Sequence, residues 1–418
     1  MKSVWSILFL TFASWSYTQE MITISGKIVD VETKEPLAFA TINIQNTPKG
    51  VVANEEGAFD FTFSKTHLKD TLIFSFTGYE RERVLVQALK NRQDLNIELV
   101  KQEVMLSEVV ITNKELTPWQ ILKLAINNLK ANYPEKPFKL KAFYRDYKLE
   151  NDKCIGLFEA AISVYDKGYA RVPNKNSFKE KVVLEQVRKS LEVKYKTHTF
   201  RRVNVIKELL KLNDVRYQSR ALDKRNDYNY ELVGYEIIND RLMYKIKAVE
   251  TWTFFIYVDI STYAIPRIEM DYTWIDDIAE NEWILGDTIR YKQTAAKVIL
   301  DFQQIDDKYY PKYFHFIADL IAFEPASDSI LFTSYLLQEY MVTDINFNPE
   351  EKPMKPDQMN PDEIIEKQNF SYNPEFWKDY NVLKLHPRDK LLIQGLEERM
   401  KLPEQFSSPS VTTDQSQN

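Results

Sequence analysis

Between Leu140 and Ile345 the chain is written almost wholly in β-branched and aromatic runs: Leu140 to Tyr147, Ile155 to Tyr165, Val182 to Arg188, Tyr230 to Ile237, Met243 to Val249, Phe254 to Ile260, Pro266 to Tyr272, Arg290 to Gln303, Tyr309 to Phe323 and Ile330 to Ile345. Such side chains pack well on a pleated surface. Polar turns join them, with Asn239-Asp240 and Asp259 to Tyr263 placed where hairpins turn. A large meandering antiparallel sheet is predicted, interrupted by a short helix over Val203 to Leu212. The 24 Tyr and 24 Phe against only 9 Gly supply the bulk that such a sheet carries.

Residues 19–100 read differently. Ile22, Ile24 and Ile28, then Ala40, Ile42 and Ile44, then Phe59, Phe61 and Phe63, then Leu72, Phe74 and Phe76, Val84 and Val86, and Leu95, Ile97 and Leu99 repeat with period two. Turn residues separate them at Lys34-Glu35-Pro36, Pro48-Lys49-Gly50, Glu56-Gly57 and Thr77-Gly78. Short strands at this density predict a small β-sandwich. Residues 101–116 form a charged linker. Thr117-Pro118-Trp119-Gln120 then starts a helix, since Thr117 can cap, Pro118 fits the first turn and Gln120 can reach back. Ile121, Leu122, Ala125, Ile126 and Leu129 continue it at helical spacing up to Tyr133-Pro134. Residues 117–345 make the second domain, a helix plus the large sheet.

Lys2 followed by the apolar run Val4 to Ala13 and small residues has the form of a secretory signal peptide over residues 1–18. Without it, no apolar run reaches the 18 or more residues of a spanning helix, so a water-soluble exported protein is expected. No Cys near the cleavage region offers a thiol for a lipid anchor. Cys154 is the sole cysteine and excludes an intramolecular disulfide. With 55 Lys plus Arg against 61 Asp plus Glu, the net charge of -6 leaves no basic surplus for phosphates, and nucleic acid is excluded as a partner.

Patterns that carry chemistry are scarce. His67, His198, His315 and His386 show no metal-ligand spacing, so neither a metal nor a cofactor is expected. There is no Gly-x-Ser-x-Gly elbow, phosphate loop or dinucleotide fingerprint. Asp276-Asp277 and Asp306-Asp307 read as solvated loop charge. Arg145 and Glu159 lie on adjacent predicted strands and can pair across the sheet, either as a structural ion pair or as the polar rim of a pocket.

In the first 100 residues, Gly26-Lys27-Ile28-Val29-Asp30, Glu35-Pro36-Leu37-Ala38-Phe39-Ala40-Thr41-Ile42, then Gly50, Asn54, Gly57 and Phe59, then Asp70-Thr71-Leu72-Ile73-Phe74-Ser75-Phe76-Thr77-Gly78-Tyr79 together resemble the carboxypeptidase-regulatory-like domain. The resemblance implies a transthyretin-like sandwich of the kind found in envelope proteins of Gram-negative bacteria, including the N-terminal extensions of TonB-dependent transporters. It implies no peptidase chemistry. Asn54 stands where that family more often has Asp, and Glu108 to Thr112 resembles the segment that follows the domain in the transporters. The chain beyond has neither their plug nor the length of their barrel. Over residues 117–345, helix and successive hairpins resemble, by pattern only, the half-barrel of periplasmic lipoprotein carriers.

Residues 346–370, rich in Pro, Asp, Glu and Lys, read as a solvated linker. Phe376, Trp377 and Tyr380 follow at i, i+1 and i+4, and Leu391, Leu392 and Leu396 lie in a helical stretch, so that 346–404 ends in a clasp docked on the sheet or in a partner-binding segment. Residues 405–418 read as a disordered tail. These features predict a mainly β, non-enzymatic protein, periplasmic or outer-membrane associated. Its sandwich would contact envelope proteins and its half-barrel an apolar, lipid-like ligand or a partner. The alternatives are a structural adaptor whose sheet is filled by its own helix, set apart by Ile121, Leu122, Ile126 and Leu129 plugging the concave face, and a hydrolase of unrecognised type.

Overall fold

The structure is a computed structural model and describes residues 20–89, 93–102, 116–169, 177–191, 204–223, 228–250, 252–273, 282–285, 289–324, 327, 329–398 and 400–407. The signal peptide, residues 103–115 of the linker, Asp276-Asp277 and the tail from 408 lie outside them. Seven strands form the N-terminal part: β1 (Met21–Asp30), β2 (Thr41–Ile44), β3 (Gly50–Val52), β4 (Ala58–Ser64), β5 (Thr71–Ser75), β6 (Glu82–Leu85) and, after the single turn α1 (Val86–Leu89), β7 (Leu95–Leu99). They build two sheets, β4-β1-β7 and β3-β2-β5-β6, with β7 parallel to β1 and the other pairs antiparallel. Alternation puts Ile24, Ile42, Phe59 and Phe74 between the sheets, all fully buried. Phe76 and Val84 are only partly buried. Asn54 does the work of the family's Asp: its Oδ1 accepts from the amides of Glu56 (3.0 Å) and Ala58 (2.9 Å) around Gly57, whose φ is +67°.

Helices α2 (Pro118–Asn127) and α3 (Leu129–Asn132) come next, broken at Asn128. Both halves of the capping box form: the Gln120 amide donates to Thr117 Oγ1 (3.3 Å) and the Thr117 amide to Gln120 Oε1 (2.8 Å). Then follow β8 (Phe138–Glu150), β9 (Lys153–Asp166), β10 (Lys181–Lys189), α4 (Val205–Lys211), α5 (Asp214–Tyr217), β11 (Asn229–Ile238), β12 (Arg241–Val249), β13 (Thr253–Asp259), β14 (Arg267–Thr273), β15 (Glu282–Leu285), β16 (Ile289–Ile305), β17 (Lys308–Phe323) and β18 (Ile330–Asn346). The sheet is antiparallel throughout, in the order β10-β9-β8-β18-β17-β16-β14-β13-β12-β11, with β15 paired to β16 off this path. It is not a simple meander: β8 and β18, the first and last strands, pair in the middle. No period in the sequence marks that long-range pairing, nor the short β15.

One face of this sheet meets α2 to α5, and the other meets the sandwich and the C-terminal segment. That segment contains α6 (Pro374–Asp379), α7 (Pro387–Gln394) and α8 (Leu402–Ser407). Residues 346–370, read as a solvated linker, are mostly exposed or half-buried, with two apolar anchors into the core. Met359 and Ile365 are buried in the helix-side core, and the Met359 amide donates to Val182 O (2.7 Å). Two apolar residues with a sheet edge to pair with outweigh a charged composition. The start of the tail is also ordered: Gln405, 3% exposed, donates to Leu396 O and Met400 O and accepts from the Leu191 amide.

Candidate functional site

Arg145 and Glu159 are direct cross-strand partners on β8 and β9, with Arg145 Nε 2.7 Å from Glu159 Oε1. Glu339 on β18 faces Arg145 from its other side, Arg188 on β10 faces Glu159, and His315 on β17 faces Glu339. The register therefore sets Arg188, Glu159, Arg145, Glu339 and His315 in one row across five adjacent strands. Arg188 Nε lies 2.5 Å from Glu159 Oε2, Arg145 Nη1 3.3 Å from Glu339 Oε2, and Tyr313 Oη donates to Glu339 Oε1 (3.0 Å). Burial would push both glutamates up. The flanking guanidiniums, with His315 and Tyr313 at Glu339, overcome that and hold both carboxyls below the usual range. Burial works against the Arg145 charge too, but its two carboxylates raise its pKa. Arg188, Glu159, Arg145 and Glu339 thus form a chain of ion pairs on the sandwich side of the sheet.

The aromatic segment covers this row. Arg145 Nη2 donates to Leu383 O (2.7 Å), and the Arg188 guanidinium sits 4.3 Å over the Trp377 ring. Phe376 stacks on Tyr380 at 4.8 Å, and Tyr380 Oη donates to Ala142 O (2.8 Å) on β8. The same segment grips the sandwich. Asn381 exchanges hydrogen bonds with the backbone of Thr62, both 2.8 Å, Lys384 pairs with Asp60 (2.9 Å), and His386 Nε2 lies 3.4 Å from Glu56 Oε1. The segment that carries Phe376, Trp377 and Tyr380 thus touches both the sheet and the sandwich.

Direct contacts complete the junction. Phe39, at φ +64°, stacks on Tyr313 (5.4 Å) and packs at a tilt against His315 (4.9 Å). A left-handed conformation costs a side chain of this kind roughly 1–2 kcal/mol, and here the ring fills the seam between sandwich and sheet. Gly78 donates its amide to Ile237 O (2.7 Å), and at φ +81° any Cβ there would meet Glu236 Oε1 at 2.8 Å. Arg81 and Arg83 both pair with Asp240, in the hairpin turn between β11 and β12. Sequence reasoning found Arg145 and Glu159 but missed Arg188, Glu339 and His315. The available signal was one charge inside an otherwise apolar strand, as in Leu336-Leu337-Gln338-Glu339-Tyr340-Met341.

On the opposite face, Ile121, Leu122, Ala125 and Leu129 from the helices are buried against Ile246, Phe254, Ile256, Ile268, Leu300 and Phe314 from the strands; Ile126 is only half-buried. Tyr133, wholly buried, donates to Ile265 O (2.7 Å), accepts from the Ile265 amide (3.1 Å) and stacks on Tyr169 at 5.5 Å. Within this core the cavity lined by Phe138, Leu140, Leu210, Phe314 and Tyr340 measures only about 20 Å³. Cys154 is buried, and burial pushes its thiol up to about 12, far from thiolate chemistry. Among the described residues, no three His, Cys, Asp or Glu side chains gather as a metal site, and no helix is long and apolar enough to cross a membrane.

The chain is similar, at low scores, to several solved structures. They include a LolA superfamily protein from Nitrosomonas europaea (13% identity, 59% of this chain and 99% of that one, TM-score 0.22) and a DUF1329 family protein from Desulfovibrio piger (10% identity, 57% and 96%, TM-score 0.25). A third is the Pseudomonas aeruginosa MucA/MucB complex (9% identity, 56% and 98%, TM-score 0.17). No curated protein sequence matches the chain. The family model of the CarboxypepD_reg-like domain matches residues 24–111, a span that takes in both sheets of the sandwich, so the chain carries a CarboxypepD_reg-like domain at its N-terminal end.

Proposed function

We propose that this protein is a non-enzymatic adaptor of the cell envelope, in which a regulatory-like sandwich and a self-filled sheet are clasped into one body that presents surfaces to envelope proteins. The observation that carries this reading is the helix-side face of the large sheet. It is covered by the chain's own helices through Ile121, Leu122, Ala125, Leu129 and Tyr133, where a carrier needs an apolar cavity of roughly 300 Å³ or more. The ion-pair row supports it as well, because Arg145, Glu159, Glu339 and Arg188 are each engaged by a partner within the chain. The signal-like N-terminus and the domain family support an envelope location. Cross-linking mass spectrometry in the protein's own cells tests the proposal: cross-links to one envelope protein from sandwich or clasp lysines are expected. A cytoplasmic location, or cross-links to no protein, sinks it.

A further inference from the structure

A second cavity lies on the other side of the sheet, in the seam between sandwich and sheet. It is a cleft of about 580 Å³, within the range of small-ligand sites. Its walls come from β2 and the β5–β6 region of the sandwich and from β14, β16 and β17 of the sheet. Lys312 lines it and is 1% exposed. Asp301 pairs with Tyr313 and Phe302 with Pro311, so Lys312 is the extra residue of a β-bulge and has no cross-strand partner. Bulges re-aim side chains in this way, and here Lys312 joins Tyr313 on the sandwich side.

Apart from the exposed Asp306, the charges around the cleft are paired except at this residue. Arg267 holds Glu269 (2.7 Å) and Asp301 (2.6 Å), Arg241 holds Asp259 (2.5 Å), and Arg81 and Arg83 share Asp240. Among the described residues Lys312 forms no ion pair; its one hydrogen bond is from Nζ to Val342 O at 3.3 Å, leaving two of the three ammonium protons for another acceptor. One more polar atom on a residue of this cleft is buried without a partner, Gln303 Nε2. Buried polar groups are rarely left so. A donor cation and a neutral donor thus belong to residues of one cavity.

We propose that this cleft binds a polar monocarboxylate, such as a hydroxy acid or sugar acid, with the Lys312 ammonium on its carboxylate and Gln303 on a hydroxyl group. A single unpaired cation matches one negative charge. A phosphate dianion would ask for the arginine forks, and these are already committed to Asp240, Asp259, Glu269 and Asp301. The proposal is independent of the adaptor reading, since it concerns the opposite face of the sheet.

Isothermal titration calorimetry of the full chain with lactate, gluconate, neutral lactamide and inorganic phosphate tests it. One-to-one binding of lactate or gluconate is expected, with lactamide and phosphate weaker by about tenfold or more, as befits loss of a charge-assisted contact. Lys312→Met, which keeps the stem and removes the charge, should lose about tenfold in affinity, and Gln303→Leu a smaller factor. If Lys312→Met does not fold, Gln303→Leu and protection of the wild-type Lys312 amine from reductive methylation by gluconate decide instead. Binding of neither carboxylate, tighter binding of phosphate, or affinity unchanged in the variants that fold overturns the proposal.

Discussion

The guanidinium of Arg188 lies 4.3 Å above the ring of Trp377 while its Nε holds Glu159 at 2.5 Å. One side chain thereby ties the C-terminal clasp to the row of ions that crosses five strands of the sheet. Clasp, sheet and sandwich should therefore loosen together.

Trp377→Ala removes that contact and part of the shared core with Phe143, Leu383 and the sandwich residues. A loss of about 3–5 kcal/mol in urea unfolding is expected for an indole at such a site. Limited proteolysis should then cut within 346–404 before it cuts the sheet. Cleavage at unchanged rate would show that Trp377 does not secure the clasp.

Arg145 serves two buried carboxylates and one carbonyl. Arg145→Met should cost on the order of 3–5 kcal/mol, because Glu339 and Leu383 O lose a partner while Glu159 retains Arg188. Adding Glu339→Gln should restore part of that loss. Strict additivity in the double-mutant cycle would argue against coupling in the row.

Burial pushes the Lys312 amine down to about 7 from its usual 10.5. The sign follows from proton counting: between these values the unfolded chain holds a proton that the folded chain does not, so stability rises with pH across this window. Below it the amine is charged in both states and the full cost of burying the charge remains. Lys312→Met should therefore stabilise the protein at pH 6, by on the order of 3–5 kcal/mol, and the gain should vanish near pH 10. Thermal melts of both proteins across this range check the trend; a gain independent of pH would mean that Lys312 binds its proton equally in the folded and unfolded states, so that burial does not lower its pKa.

Leu122 is wholly buried between α2 and the sheet. Leu122→Ala should cost about 2–5 kcal/mol and open space that an apolar probe such as a naphthalene dye can enter. Strong dye binding by the unaltered protein would show that the face is already open.

Side-chain alternation was enough to read the strands, because period two follows from the pleat itself: Phe59 and Phe61 or Ala142 and Tyr144 leave little choice of face. The Arg145–Glu159 pair was legible because β8 and β9 are joined by a short hairpin. Its neighbours were not, because Glu339 and His315 come from strands about 190 and 170 residues on, brought beside β8 only by the closing pair of β8 with β18. The cleft was hidden for the same reason, since its sandwich wall and Lys312 come together only through domain docking. The sequence did hold one local hint, a lysine set among aromatics in Tyr309-Tyr310-Pro311-Lys312-Tyr313.

Native mass spectrometry of the mature protein, purified without detergent from the envelope fraction of its own cells, distinguishes a filled sheet from an open one most directly. A self-filled adaptor gives the mass of the bare chain, or of the chain with a second polypeptide, and no lipid. A reproducible added mass that leaves on denaturation and matches an extractable lipid would contradict it and identify the helix-side face as a carrier's cavity.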